Sequence, residues 1–313
     1  MNILVTAAPI LLMALGQTFV IISQGIDLSI GWTMGVSSVF SALVMRHLYD
    51  NNIMTEWPAI GVGILAGIAI ALIPGLINGF LLAKISVPSF IATLGMYNIA
   101  RGVSLLMSGG NVVPGLPPHL TDFGNGNLFY YLHGNIYFFQ QPADLARADL
   151  REIVKWFPYP VIVTILVTLV CAFILGRTQF GRRTYAIGGN IQAAIRAGIP
   201  VQRHLIKIYV LAAGLAGIAG GLYTARFTGG SHQAGEAQLL DTVAAVVIGG
   251  ASMFGGTGNV MGTVVGALIL SILTTGLVIM NVPPFWQYVA VGCVVILAVL
   301  IDQVRGVLER EQV

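Results

Sequence analysis

Apolar residues fill this chain in blocks of roughly one membrane thickness, and the short breaks between blocks hold nearly all of its polar chemistry. A membrane-spanning helix needs about 20 mostly apolar residues. Nine stretches approach that length, at roughly 3–23, 30–46, 59–83, 87–107, 158–176, 205–228, 237–253, 258–280 and 285–302. The second and seventh are short, and each abuts a glycine-rich or polar break. Interrupted helices of this kind border the binding path in many transporters. The predicted fold class is all-α: a polytopic transmembrane helix bundle with broken or short helices, forming one domain over residues 1–313. The apolar blocks also carry small residues at every fourth position: Gly63, Gly67, Ala71, Gly75 and Gly79, then Gly217 and Gly221, then Gly258, Gly262 and Gly266. That spacing lets helix backbones approach closely in lipid, as a packing device or as a sliding surface.

Composition agrees with this reading and excludes a water-soluble globule. Of 313 residues, 56% are hydrophobic and 9% charged, where soluble domains carry about 25% charged residues. A net charge of +3 does not suggest a nucleic-acid partner. Cys171 and Cys293 lie far apart inside apolar runs, so they read as small buried hydrophobes rather than a disulfide or a metal site. The first apolar block starts almost at Met1, lacks a basic leader and is too long for a signal h-region, so no cleavable signal is expected.

Lysine and arginine placement orients the bundle. The segment 176–204, with its continuation to Lys207, holds Arg177, Arg182, Arg183, Arg196 and Arg203 and is assigned to the cytoplasm. Alternation then puts Lys84, Arg305 and Arg310 inside as well. The connection 109–157 falls on the extracytoplasmic side, where Arg147, Arg151 and Lys155 are offset by Asp144, Asp149 and Glu152. Nine crossings leave the N-terminus outside.

The cytoplasmic segment contains a helix with its own start and stop. Asn190 is a favoured N-cap, the alanine-rich stretch after it favours helix, and Gly198 followed by Pro200 ends it. Two turns result, about 10 Å long, with Ile191, Ala194 and Ile195 on one face and Gln192 and Arg196 on another. So short a helix is marginal alone in water, so it needs a surface, either its own bundle or a partner. The plainer alternative is a simple positive-inside loop.

Three further features carry polar groups at membrane depth. Gly25 and Gly31 bracket a break containing Asp27 and Ser29, preceded by Gln24. Asp27 and Ser29 suit N-capping of the next helix. A carboxylate at this depth is also costly unless it meets water or a partner, so the three are candidates to line a path for a small polyhydroxylated solute. Asp241, a further candidate for the path, heads an apolar run ending in a glycine-dense turn at 249–258. That turn lacks the Lys-Ser/Thr pair of a phosphate loop and reads as a tight re-entry between helices. Thr93 and Asn98 either line the path or bond neighbouring helices, and Arg101 snorkels or pairs with an acid. His119, His133 and His232 lie in external loops without metal-ligand spacing. No catalytic grouping of Ser/His/Asp or Cys/His type is present, so no metal, cofactor or enzymatic activity is expected.

Four stretches together resemble the permease subunits of sugar-type ATP-binding-cassette importers, the ribose/xylose/arabinose group. They are Gly25-Ile-Asp-Leu-Ser-Ile-Gly, Val87-Pro-Ser-Phe-Ile-Ala-Thr-Leu-Gly with Arg101-Gly102, Tyr185-Ala-Ile-Gly-Gly-Asn, and Leu240-Asp-Thr-Val-Ala-Ala-Val-Val-Ile-Gly-Gly. They cover nearly the whole chain. Branched-chain amino-acid permeases share the broader family but lack the Gly-Ile-Asp-Leu-Ser pattern. The resemblance implies ten helices in the family, the first of which is expected to be missing here. It implies a second permease subunit, homo- or heterodimeric, an ATPase subunit that hydrolyses ATP on a separate chain, and an external or periplasmic sugar-binding protein, all at a bacterial inner membrane. It also implies that 185–200 is a coupling helix seated in the ATPase, with Tyr185, Gly188, Gly189, Asn190, Gln192, Arg196 and Gly198 as coupling residues. Leu239 stands where such permeases often carry Glu, two residues before Asp241, and Glu236 is displaced. A secondary transporter or facilitator acting alone is the rival reading.

Overall fold

The computed structural model describes residues 2–133, 135–139 and 153–310. It is a bundle of α-helices built around two central ones. Helix α1 (Asn2–Ile22) and helix α9 (Val201–Phe227) carry most of the core, in which Phe19, Leu15, Ile208, Tyr209 and Ala212 are buried. Around them stand α2 (Ile30–Asp50), α3 (Glu56–Ile85), α4 (Ser89–Ser108), α6 (Tyr159–Arg177), α10 (Leu239–Ile248), α11 (Val260–Ile279) and α12 (Pro284–Arg310). Three short helices lie between: α5 (Leu120–Asn125), α7 (Gln179–Gly189) and α8 (Ile191–Arg196).

Side-chain contacts fix the two ends of the bundle. Arg226 Nη1 donates to Val5 O at 2.9 Å, so α1 starts where α9 ends. Lys84 Nζ donates to Gln202 Oε1 at 2.9 Å, and Gly256 N donates to Ile22 O at 2.9 Å. The ends of α1 and α3 therefore share one face with the basic segment, as the lysine and arginine distribution predicts. Asp144, Arg147, Asp149, Arg151 and Glu152 lie outside the described residues, as do the side chains of Arg305 and Arg310 on α12.

The small-residue stripe packs against two partners. A Cβ on Gly67 would meet Ser37 O of α2 at 2.8 Å, and one on Gly79 would meet the Ile206 Cα of α9 at 2.7 Å. At 30 residues α3 is about 45 Å long, more than a bilayer core needs, so it tilts or protrudes.

Among the described residues six helices are long and apolar enough to cross a membrane: α1, α3, α4, α6, α9 and α11. The other three expected crossings are altered. The 30–46 run continues to Asp50 as a helix made more polar by serines and threonine. The 237–253 run is not one helix: only Leu239–Ile248 is helical, a ten-residue half-span. Above it, 229–238 descends beside α2, with Gly230 against Ser38 and Val39, His232 O against Gly35, and Gly235 against Gly31. Of the last run, 285–302, only Phe285–Leu297 is counted among the shorter apolar helices.

The 109–157 connection has structure of its own. After α5 comes a three-stranded antiparallel sheet of β1 (Asn127–Leu132), β2 (Asn135–Phe138) and β3 (Val154–Pro158), in the order β2-β1-β3. Phe129 faces both Phe138 and Trp156, and Tyr130 faces Tyr137 and Lys155.

Candidate functional site

The break between α1 and α2 is held by polar bonds on every side. Asp27 is 2% exposed, and its Oδ1 accepts from Ser29 N at 2.8 Å and from Ser29 Oγ at 2.6 Å. Ser29 Oγ in turn accepts from Asn78 Nδ2 of α3 at 2.9 Å. Gln17 Nε2 donates to Asp27 O at 2.8 Å, and Thr93 Oγ1 of α4 donates to Ile26 O at 3.1 Å. Asp27 thus orients the amide and hydroxyl of Ser29, the residue that starts α2; the Ser29 side chain caps nothing itself. Nearby, Asn78 Oδ1, Gln17 Oε1 and Tyr209 OH are buried without a partner among the described residues. Such groups cost free energy when left unpaired.

Three expected path residues therefore meet here: Asp27, Ser29 and Thr93. The other three stand apart. Asn98 is exposed on α4 and donates to Leu94 O of its own helix. Asp241 is half-buried in the first turn of α10. Gln24, at φ +66, turns to the end that carries the basic segment and donates to Gly188 O at 2.8 Å.

A second polar seam escaped the sequence reading. Ser38 Oγ lies 2.8 Å from Thr224 Oγ1 and accepts from Ser231 N at 3.0 Å, and Ser37 Oγ donates to Gly217 O at 2.8 Å. His232 lies in a loop, as expected, and is buried there, 3.5 Å from Ser108 Oγ. The available signal was the recurrence of serine at 37 and 41, one helical turn apart on an apolar helix.

In the basic segment Asn190 Oδ1 accepts from Ala193 N at 2.9 Å and starts α8. Gly198 adopts φ +76 beyond its end. The preceding α7 was missed; Thr178, whose Oγ1 accepts from Gly181 N at 3.4 Å, was its local start signal. The seven expected coupling residues divide between two directions. Tyr185 and Gly188 turn inward. Tyr185 OH donates to Gly258 O at 2.7 Å, and a Cβ on Gly188 would overlap Ile22 O. Gly189, Asn190, Gln192, Arg196 and Gly198 are exposed. The expected apolar face also splits: Ala194 packs against Ile187 and Val201, while Ile195 is 52% exposed. The glycine-dense turn is a tight re-entry, with Gly250, Gly255 and Gly256 at positive φ, and it seats on Gly188 and Ile22. No group of metal-ligating residues occurs among the described residues.

Broken helices, polar seams at depth and a capped surface helix wired into the bundle define a polytopic membrane transport protein. The family described as the permease component of branched-chain amino acid transport systems matches residues 1–299, and the chain belongs to that family. The xylose transport system permease protein of Haemophilus influenzae is 35% identical, with 93% of this chain and 84% of that protein covered. The ribose import permease protein of Bacillus subtilis is 37% identical, covering 94% and 81%. The autoinducer 2 import system permease protein of Salmonella choleraesuis is 29% identical, covering 97% and 78%. No solved structure matches.

Proposed function

We propose that the chain is the membrane-spanning permease subunit of an ATP-driven importer for a monosaccharide or a related polyhydroxylated solute. The ATPase is a separate chain, a second permease completes the passage, and an external binding protein delivers the solute at a bacterial inner membrane. The observation that carries this reading is the capped helix Ile191–Arg196, which turns Gln192, Ile195 and Arg196 outward while Tyr185 and Gly188 hold the segment to the bundle. Sugar-permease relatives covering more than nine-tenths of the chain support it. A facilitator acting alone would have no use for such a surface.

In this scheme the ATPase grips Asn190, Gln192 and Arg196. Its closure moves α7 and α8 as one piece, and the bonds from Gln24 and Tyr185 pass that motion to the end of α1 and to the 249–258 turn. A ligand shifts an access equilibrium only by its differential affinity for the two states, so the passage holds its solute weakly. Asp27, Ser29 and Thr93 set the geometry of the α1–α2 break beside that passage.

The test is accumulation of labelled xylose or ribose in vesicles, with and without the co-purified ATPase. ATP-dependent uptake is expected only with it; uptake by this chain alone favours the facilitator. Asp27→Asn and Asp27→Ala proteins that assemble yet transport at the wild-type rate remove Asp27 from the pathway.

A further inference from the structure

The sheet in the 109–157 connection is inverted relative to a soluble one. Strand residues alternate between faces, and the register puts Phe129, Tyr131, Ile136, Phe138, Val154 and Trp156 on a single face. That face points away from the protein: Phe138 is 59% exposed and Trp156 48%. Phe157, held at φ +55, adds its ring 6.1 Å from Phe129. These residues frame a shallow cavity of about 590 Å³. The opposite face carries Tyr130 and Lys155, which line a different cavity together with His119, Asp122 and Asn125.

A contiguous exposed apolar patch marks a protein or membrane contact. Two observations favour lipid. Protein interfaces carry about one hydrogen bond per 100–200 Å², and among the described side chains the outward face offers only the Tyr131 hydroxyl and the Trp156 indole N–H. Its position also matches, because β3 ends at Pro158 and α6 begins at Tyr159. The strand that bears Trp156 thus runs straight into α6, an apolar helix of membrane-spanning length whose Leu166, Leu169, Val170 and Phe173 are exposed. Aromatic residues concentrate at that boundary, where the ring is apolar and the surroundings are partly wet.

We propose that this sheet is a membrane-interface anchor: its aromatic face lies in the lipid headgroup region of the leaflet opposite the basic segment. Lipid contact there holds α5 and the outer end of α6 at fixed depth, leaving the Tyr130–Lys155 face to the protein.

The test uses the full-length protein in nanodiscs. The tryptophan emission lost on Trp156→Phe reports Trp156. That signal is expected to fall about twofold in phosphatidylcholine brominated near the headgroup end of its chains and to resist aqueous acrylamide. Quenching by acrylamide with no effect of brominated lipid overturns the proposal. So does protection from both quenchers, since protein then covers the face. A spin label on Phe138→Cys, in a Cys293→Ala background, gives an independent reading. Oxygen accessibility above that of a water-soluble nickel complex is expected, and the reverse order overturns the anchor.

Discussion

Two segments leave the membrane and fold outside it, and they present opposite surfaces. At the end that carries the basic segment α7 and α8 turn Tyr185, Ile187, Gly188 and Ala194 inward and show Asn190, Gln192 and Arg196 to solvent. At the other end the sheet turns Tyr130 and Lys155 toward the protein's own cavity and shows Phe138 and Trp156. Each outward surface names the chemistry of what it meets. A polar, positively charged surface suits a water-soluble partner; an aromatic one suits the bilayer boundary. The wiring differs too. The basic segment joins the end of α1 and the 249–258 turn through two hydrogen bonds to distant residues, Gln24 to Gly188 and Tyr185 to Gly258, and Gly256 to Ile22 ties that turn to α1 directly. Such a segment can transmit motion, whereas the sheet serves to hold a position.

The comparison breaks most decisively at Gly188. A side chain there has nowhere to go, because its Cβ would overlap Ile22 O and lie 2.6 Å from Gly256 N. Gly188→Val is expected to cost about 2 kcal/mol or more and to abolish recovery of assembled complex in size-exclusion chromatography. Normal recovery would show that the segment is not fastened to the bundle. The next effect belongs to the outward surface. Gln192→Glu with Arg196→Glu is expected to leave folding intact but to lower both ATPase capture and solute accumulation about tenfold, equivalent to about 1.4 kcal/mol. The matching change on the sheet, Lys155→Glu, is expected to leave ATPase capture unchanged; equal losses from the two would erase the distinction between the segments.

A third variant isolates the wiring. Tyr185→Phe removes only the hydroxyl that donates to Gly258 O. One such bond contributes about 1 kcal/mol, so stability is expected to change little. Transport per assembled complex is expected to fall about threefold, because part of the link between α7 and the glycine turn is lost. Unchanged turnover would mean that force travels through backbone contact at Gly188 alone.

What the sequence disclosed follows the range of the interactions involved. Asn190, Gly198 and Pro200 announce α8 because capping is decided within four residues. The break at Gly25–Gly31 was visible for the same reason: Asp27 acts on the backbone amide of Ser29, two residues away. The half-helix Leu239–Ile248 was hidden, since 229–238 is held out of helix by Gly235 against Gly31 and His232 against Gly35, contacts about 200 residues apart in the chain. The Ser38–Thr224 pair is separated by 186 residues, and the serines recurring on α2 do not name their partner. The sheet was hidden because apolar residues fill both of its faces at Phe129, Tyr130 and Tyr131, which removes the alternation that marks a strand. Of the candidate site, the capped surface was legible. Gathering Asp27, Ser29, Asn78 and Thr93 into one cluster, apart from Asn98 and Asp241, required the packing of three helices.

The smallest expected effect sharpens the comparison at the outer end, where α5 meets α3 through polar contacts. His119 Nδ1 lies 2.8 Å from Asp122 Oδ2, its Nε2 lies 3.9 Å from Glu56 Oε2, and its ring stacks on Trp57 at 5.6 Å. The hydrogen bond to Asp122, assisted by the charge of Glu56, raises the imidazole above its ordinary value. A raised value in the folded protein adds stability that is complete below the unfolded value, about 6.5, and is lost as pH rises through the folded one. His119→Gln is therefore expected to lower the melting temperature most at about pH 5 and least at about pH 8. The group is fully exposed, so salt should shrink the difference further. A loss that is the same at both pH values would mean that His119 ties α5 to α3 by stacking on Trp57 alone.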